Sequence, residues 1–272
     1  MPALSRKQRE IQERHERVLE SARSLLLVKG YHKLTMARVA KAVGCSKATV
    51  YQHFPCKEEL ILALATRSVD KQHALVERAA HFHGRPRERM VAIGEATHLF
   101  AKLYSEDTRL FQIVTGEAVL QKVSEAPIQE LRRAGMRTVE VMLGIGRDAI
   151  AQGDLTLRPG HTLPELIYHM WLLGEAGKAS TATWLPPIEL GVTQPFTTIL
   201  KTAQVLGDGY GWRPLSTEWD YTATVARVRS EIFPREARKV YGPSPMAGLD
   251  KIPLGEQTTA AKMKGGESWQ AG

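Results

Sequence analysis

Residues 35–54 read TMARVAKAVGCSKATVYQHF, and the way this stretch folds decides the rest. Thr35 offers the side-chain oxygen that caps a helix N-terminus, and Met36, Val39, Ala40 and Val43 follow at i, i+3, i+4 and i+7 on one helical face. Gly44 comes next, the residue that most cheaply takes the left-handed conformation ending many helices. Ser46 then caps a second helix. Two helices crossing over so short a turn need a small residue in the first, a glycine between them and an apolar anchor in the second. Ala40, Gly44 and Val50 meet those needs. The pattern predicts a helix-turn-helix, whose second helix is held rigidly with its outer face turned to the DNA major groove. That face carries Lys47, Thr49, Tyr51 and His53. Taken alone, the twenty residues also fit a helical hairpin in an ordinary all-α domain.

The flanks narrow the choice. Upstream, Val18, Ala22, Leu25 and Leu26 repeat at helical spacing, and the run closes on Lys29 and Gly30, a cation and a glycine at a helix C-terminus. Downstream, Pro55-Cys56-Lys57-Glu58-Glu59-Leu60 opens a further helix with acidic residues in its first turn.

With these flanks the stretch resembles the TetR (tetracycline-repressor) family of one-component bacterial regulators. The resemblance runs through Gly30-Tyr31, Leu34-Thr35, Val39-Ala40, Gly44, Ser46, Thr49-Val50-Tyr51, His53-Phe54 and Lys57-Glu58-Glu59-Leu60, in register and without gaps. It covers residues 14–62, about a fifth of the chain. It implies an all-α protein with an N-terminal three-helix DNA-binding domain followed by a helical effector-binding and dimerisation domain. Tyr51 and His53 match positions that touch phosphate in the family, and Lys57 matches the lysine that opens its fourth helix. A phenol, an imidazole donor and an ammonium all suit phosphate oxygens. Thr35, at a helix N-terminus, is expected to give a hydroxyl and a backbone N–H to another phosphate. Lys47 and Thr49 are the candidates for reading base edges, with Ala48 close enough for an apolar contact and Ser46 at the head of the helix.

Charge is placed unevenly along the 272 residues: residues 1–61 hold 12 Lys or Arg against 6 Asp or Glu, net +6, and the remainder 25 against 23, net +2. A basic end on a nearly neutral body is the footprint of one domain seated on phosphates, although a solubilising tail has the same composition. Residues 1–13 are expected to form a basic arm, either reaching DNA or frayed. The helical second domain is expected over residues 63–241 and a loose tail over 242–272. Helices are predicted over 57–80, 86–104, 108–119, 127–152, 163–183, 193–206 and 218–240. No apolar run approaches the ~18 to 20 residues of a membrane span, so a cytoplasmic protein is expected.

An effector, if one binds, would meet the second domain. Phe100, Tyr104, Phe111, Met142, Tyr168, Met170, Trp171 and Trp184 are candidates for an apolar cavity with His98, His169 and Glu175 as polar groups, although such stripes also serve as ordinary core. The segment GWRPLSTEWDY (211–221) places Trp212, Trp219 and Tyr221 where they would pack the last helix onto this domain.

No cofactor or metal is expected. His81 and His83 point to different helical faces, and no Cys or acidic ligand pattern lies beside them. Neither a nucleophile elbow, a phosphate-binding glycine loop nor an HExxH motif occurs, so an enzyme is not expected. Cys45 reads as a small buried apolar residue; Cys56, at a helix N-terminus beside Lys57, sits where a thiolate is favoured. The expected partners are double-stranded operator DNA, a second copy of the chain and a small-molecule effector. The reading is a dimeric repressor of a palindromic operator, released by its effector; an effector-independent regulator and a helical protein-interaction scaffold are the alternatives.

Overall fold

Ser5 opens the first helix with a reciprocal cap: its hydroxyl accepts from the Gln8 N–H at 3.2 Å, and the Gln8 side chain accepts from the Ser5 N–H at 2.8 Å. The computed structural model describes residues 5–114, 117–179 and 186–249, with the side chains of all of these except 111–114 and 117–118. Because of that cap, α1 (Arg6–Lys29) includes residues expected to form a separate arm. Arg6 with Glu10 and Gln12 with Glu16 extend the helix along its exposed first turns.

Val18, Leu19, Ala22 and Leu26 form the buried stripe of α1, which ends at Gly30. Helices α2 (Met36–Val43) and α3 (Lys47–His53) follow, with Thr35 and Ser46 as side-chain caps. Gly44 stands between them in the left-handed region at φ 75°, ψ 35°, and the N–H groups of Gly44 and Cys45 both return to the Ala40 carbonyl. Val50 and Phe54 enter a core with Leu34, Val39 and Ala40.

Helix α4 (Lys57–Ala80) joins the two cores. Leu60, Ile61, Leu64 and Ala65 pack with the first three helices, whereas Leu75, Val76 and Ala79 pack into the second domain. That domain is built from α5 (Pro86–Leu103), α6 (Ser105–Val114), α7 (Glu117–Leu120), α8 (Glu125–Ala151), α9 (Leu163–Ala179), α10 (Pro195–Gly209), α11 (Tyr221–Glu231) and α12 (Pro234–Tyr241). Helix α4 lies against both α5 and α8, and α9 packs on α8, α5 and α10. No strand occurs among the described residues.

Three expectations are corrected. The helix expected over 218–240 is two, because Pro234 lacks an N–H and pushes Phe233 out of the helical region, to φ −123°, ψ 42°. The helix expected over 108–119 begins three residues earlier, at Ser105, and 115–116 lie outside the described residues. Residues 242–249, expected to begin a loose tail, are held down: Arg229 donates to the carbonyls of Pro245 and Ala247 at 3.0 and 2.8 Å, and Thr197 to that of Gly248 at 3.1 Å. Residues 250–272 lie outside the described residues.

The segment 211–221 packs as expected. Trp212 is fully buried, the Tyr221 hydroxyl donates to the Pro214 carbonyl at 2.6 Å, and the Trp219 indole donates to Thr224 at 3.1 Å.

Candidate nucleic-acid interface and effector cavity

Helix α3 is fixed on its inner side and open on its outer one. Val50 is fully buried, whereas Ser46, Lys47, Ala48, Tyr51 and Gln52 are exposed. The Ser46 hydroxyl accepts from the Thr49 N–H at 3.0 Å and lies 2.8 Å from the Thr49 hydroxyl, which is half-buried beside it. Ser46 is thus the cap of the helix as well as a residue of its leading edge. The Lys47 ammonium stands 5.6 Å from the centre of the Tyr51 ring, so a cation and a phenol share one side of the helix.

Around this face the other candidates are placed unequally. Thr35 is exposed, its hydroxyl accepting from the Arg38 N–H at 3.3 Å with its own proton left to give. The Lys57 ammonium donates to the Tyr31 carbonyl at 3.3 Å and lies 4.1 Å from the centre of the Tyr31 ring. Tyr31 is in turn anchored through its hydroxyl, which donates to Glu58 at 2.9 Å. Burial, together with the Glu58 carboxylate, holds that phenol above its ordinary pKa and therefore protonated. Residue spacing gave no sign that Tyr31 positions Lys57; only the fold brings them together.

His53, expected to donate to phosphate, also packs against α1. It is half-buried, with its ring 5.7 Å from that of His15 on α1, and His15 stacks on Phe54 at 4.7 Å. Burial lowers the pKa of His53, and His15 and Arg14 lower it further. The ring is neutral at pH 7 and turned partly toward the core. Cys56 caps α4, its sulfur accepting from the Glu59 N–H at 3.4 Å and donating to the Lys122 carbonyl at 3.6 Å.

A polar cluster joins this domain to the next. Arg23 on α1 meets Glu106 at 2.8 Å and Asp107 at 3.5 Å, and the buried Asp107 also accepts from Ser68 at 2.8 Å and Lys71 at 3.0 Å.

Within the second domain, α4, α5, α8, α9 and α10 enclose a cavity of about 160 Å³ whose wall is mainly apolar. Met142 and Trp171 line it, with Glu175 at one side in an ion pair with Lys178 at 2.7 Å. Phe100 is buried in an adjoining recess that also touches Glu175. Tyr104 and His169 line neither. Tyr104 lies under the Lys71 ammonium, 4.7 Å from its ring centre, and His169 is exposed with Nδ1 3.2 Å from the Tyr210 hydroxyl. One turn of helix separates each from a residue that faces inward, which spacing alone does not resolve. The Phe111 side chain and Trp184 lie outside the described residues. His98 lines the wall as expected, whereas Arg87, Gln204 and Trp212, which also line it, carry no signal in the residue spacing.

Residues 18–64 match the profile of the bacterial regulatory proteins of the tetR family. Over 98 residues the chain is 36% identical to the HTH-type transcriptional activator FasR of Mycolicibacterium smegmatis, covering 36% of this chain and 45% of that protein. Over 76 residues it is 34% identical to the HTH-type transcriptional repressor AcnR of Corynebacterium diphtheriae, covering 28% and 39%. The chain thus spans less than half the length of these relatives. A tetR-family regulatory protein from Rhodococcus RHA1 superposes with a TM-score of 0.55 at 16% identity over 74% of this chain and 98% of that one. A TetR transcription regulator from Haloarcula marismortui gives 0.55 at 17% over 73% and 98%. At such identities the likeness concerns the fold, which the chains share through both domains.

Proposed function

We propose that this chain, whose residues 18–64 match the tetR-family profile, is a DNA-binding transcriptional regulator that works as a homodimeric repressor of a palindromic operator, released by a small, largely apolar effector. The single observation that carries this reading is the outer face of α3, polar and exposed on a helix whose inner side is locked by Val50 and the Gly44 turn. In this reading Lys47, Ala48 and Thr49 meet base edges, and Thr35, Ser46, Tyr51 and Lys57 meet phosphates. His53 acts mainly by bracing α3 against α1.

Dimerisation is supported by apolar side chains left exposed on adjacent helices, Tyr168 and Leu172 on α9 and Val205 on α10. A seven-residue recognition helix reaches few base pairs, and two copies set roughly 34 to 36 Å apart would double the contacts. The effector reading is supported by the cavity, whose wall includes Val69 and Gln72 of α4, the helix that begins at Lys57. Filling it and shifting α4 would move the reading head. A coupling of about 1 to 3 kcal/mol suffices for a five- to hundredfold loss of operator affinity, and operator DNA must weaken effector binding equally. Repression is chosen over activation on the likeness to AcnR, a repressor by name; FasR is an activator by name.

The test is selection of bound fragments from the source genome with wild-type protein beside a Tyr51→Ala, Lys57→Ala double variant, followed by a promoter-reporter assay. A palindromic site recovered by the wild type alone, with a reporter silenced by the protein, supports the proposal. Enrichment of nothing by either protein removes its main support.

A further inference from the structure

Ser124 stands at the head of α8, in the backbone position from which a serine ordinarily caps a helix, yet its side chain makes no such cap. Its hydroxyl donates instead to Oε1 of Glu59, in the first turn of α4, at 2.7 Å, and its backbone N–H donates to the same oxygen at 3.3 Å. The hydroxyl thus forgoes the local bond and ties the second domain to the start of α4.

This contact has company. The Lys122 carbonyl accepts from Cys56 Sγ at 3.6 Å, and the Lys122 ammonium lies 3.8 Å from Glu58. Beside them Leu120, Val123, Ile128 and Leu131 pack against the first core. The segment 120–131 is therefore a foot of the second domain set on the DNA-binding domain. It meets Cys56, Glu58 and Glu59, which flank Lys57 on both sides in the chain.

The first turn of α4 is held by both domains. From the first, Tyr31 accepts from the Lys57 ammonium through its carbonyl at 3.3 Å and donates its hydroxyl to Glu58 at 2.9 Å. From the second, Ser124 holds Glu59. Side chains two residues apart on a helix do not face each other, so Lys57 and Glu59 are gripped from different sides of the turn. Helix α8 then runs on to the cavity, whose wall includes Thr138, Met142 and, about 16 Å along the helix from Ser124, Gly135.

We propose that Ser124 and Glu59 are positioning residues for operator binding: through their contact the second domain seats the first turn of α4 so that Lys57 meets its phosphate. This rests on the reading of Lys57 as a phosphate contact. It makes the second domain a determinant of DNA affinity, and it gives α8 a route from the cavity to the reading head that does not run along α4.

The experiment uses the full chain and the duplex that the wild-type protein selects from the source genome. Affinity is followed against salt for wild type, Ser124→Ala, Ser124→Thr, Lys57→Ala and the Ser124→Ala, Lys57→Ala double variant. Ser124→Ala is expected to bind about fivefold more weakly, at the lower end of coupling between sites, and to lower the slope of log affinity against log salt by about one, as Lys57→Ala does. Ser124→Thr, which keeps the hydroxyl, should bind as wild type does. In the double variant the loss of Ser124 should add nothing to the loss of Lys57, since it acts through that lysine. Ser124 is exposed, so the melting temperature of Ser124→Ala should barely move. Losses that add in the double variant, or a Ser124→Ala slope equal to that of wild type, would overturn the proposal while leaving Lys57 a phosphate contact. Unchanged affinity and slope in Lys57→Ala would instead remove that contact, and the proposal with it. A wild-type protein that selects no duplex would sink the DNA-binding reading and this proposal together.

Discussion

Ser68 on α4 donates to the buried carboxylate of Asp107 on α6 at 2.8 Å, and Arg23 of α1 closes on the same carboxylate from the DNA-binding domain at 3.5 Å. Asp107 is therefore a joint of three helices, two of which, α1 and α4, also build the first core. Lys71, which completes the cluster at 3.0 Å, is one residue from Gln72 in the cavity wall.

Asp107→Asn keeps the shape of this joint and removes its charge. Loss of charge-assisted hydrogen bonds at a buried site is expected to cost about 1 to 3 kcal/mol, read by urea unfolding. If the joint carries the signal between domains, the variant's operator affinity will also respond less to effector. An unaltered response with lowered stability would make Asp107 a structural residue alone.

Lys47 and Lys57 should fail in different ways. Lys47→Ala is expected to cost about 1 to 3 kcal/mol on the preferred operator and to relax the preference at one base pair. Lys57→Ala should weaken binding about equally on every sequence and lower the slope of log affinity against log salt by about one. Titrations at several salt concentrations on matched and scrambled operators separate the two, and identical behaviour would refute the assignment.

Gly207 sits against Arg87 on α10. A Cβ there would lie 2.8 Å from Nη2 and 2.9 Å from Cζ of a guanidinium only 3% exposed and tied to five acceptors. Gly207→Ala is expected to destabilise by about 1 to 3 kcal/mol through overpacking. Gly209→Ala, at the same helix end with nothing within 4 Å of the added carbon, should be near neutral. The paired melting temperatures decide it.

Acid should loosen the protein before carboxylates titrate. Burial lowers the folded-state pKa of His98 from its ordinary 6.5, aided by Lys102 and Arg229 and opposed by Glu95. The unfolded chain then binds more protons than the folded one as pH falls through 6.5, so stability is full above that value and declines below it, down to the folded pKa. His15 and His53, whose pKa values burial also lowers, add in the same sense. Melting temperature is expected to fall between pH 7.5 and 5.5 in wild type and less steeply in His98→Phe. A flat profile would contradict this.

The first domain was legible in the sequence because its chemistry is local. Thr35, Gly44 and Ser46 act within four residues of themselves, and the apolar repeat of α2 has one partner surface. The second domain was legible as helices and little more, since the pattern that buries Met142 inside the cavity wall is the same that leaves His169 outside it. Contacts such as Tyr31 with Lys57, or His98 with Tyr241, span 26 and 143 residues and leave no periodic trace. The break in the helix expected over 218–240 comes from Pro234, which acts through the backbone of Phe233.

Helix α4 belongs to two cores at once, and this bears on how the molecule comes apart. Its 24 residues extend about 36 Å without a glycine or proline to interrupt the hydrogen-bond ladder. Melting either end bares the apolar stripe that the other end continues, so heat should undo the chain in one cooperative step. A fragment cut near residue 65 would carry away Leu60, Ile61 and Leu64 on a stub robbed of its following turns, and half a reading head is what it would become.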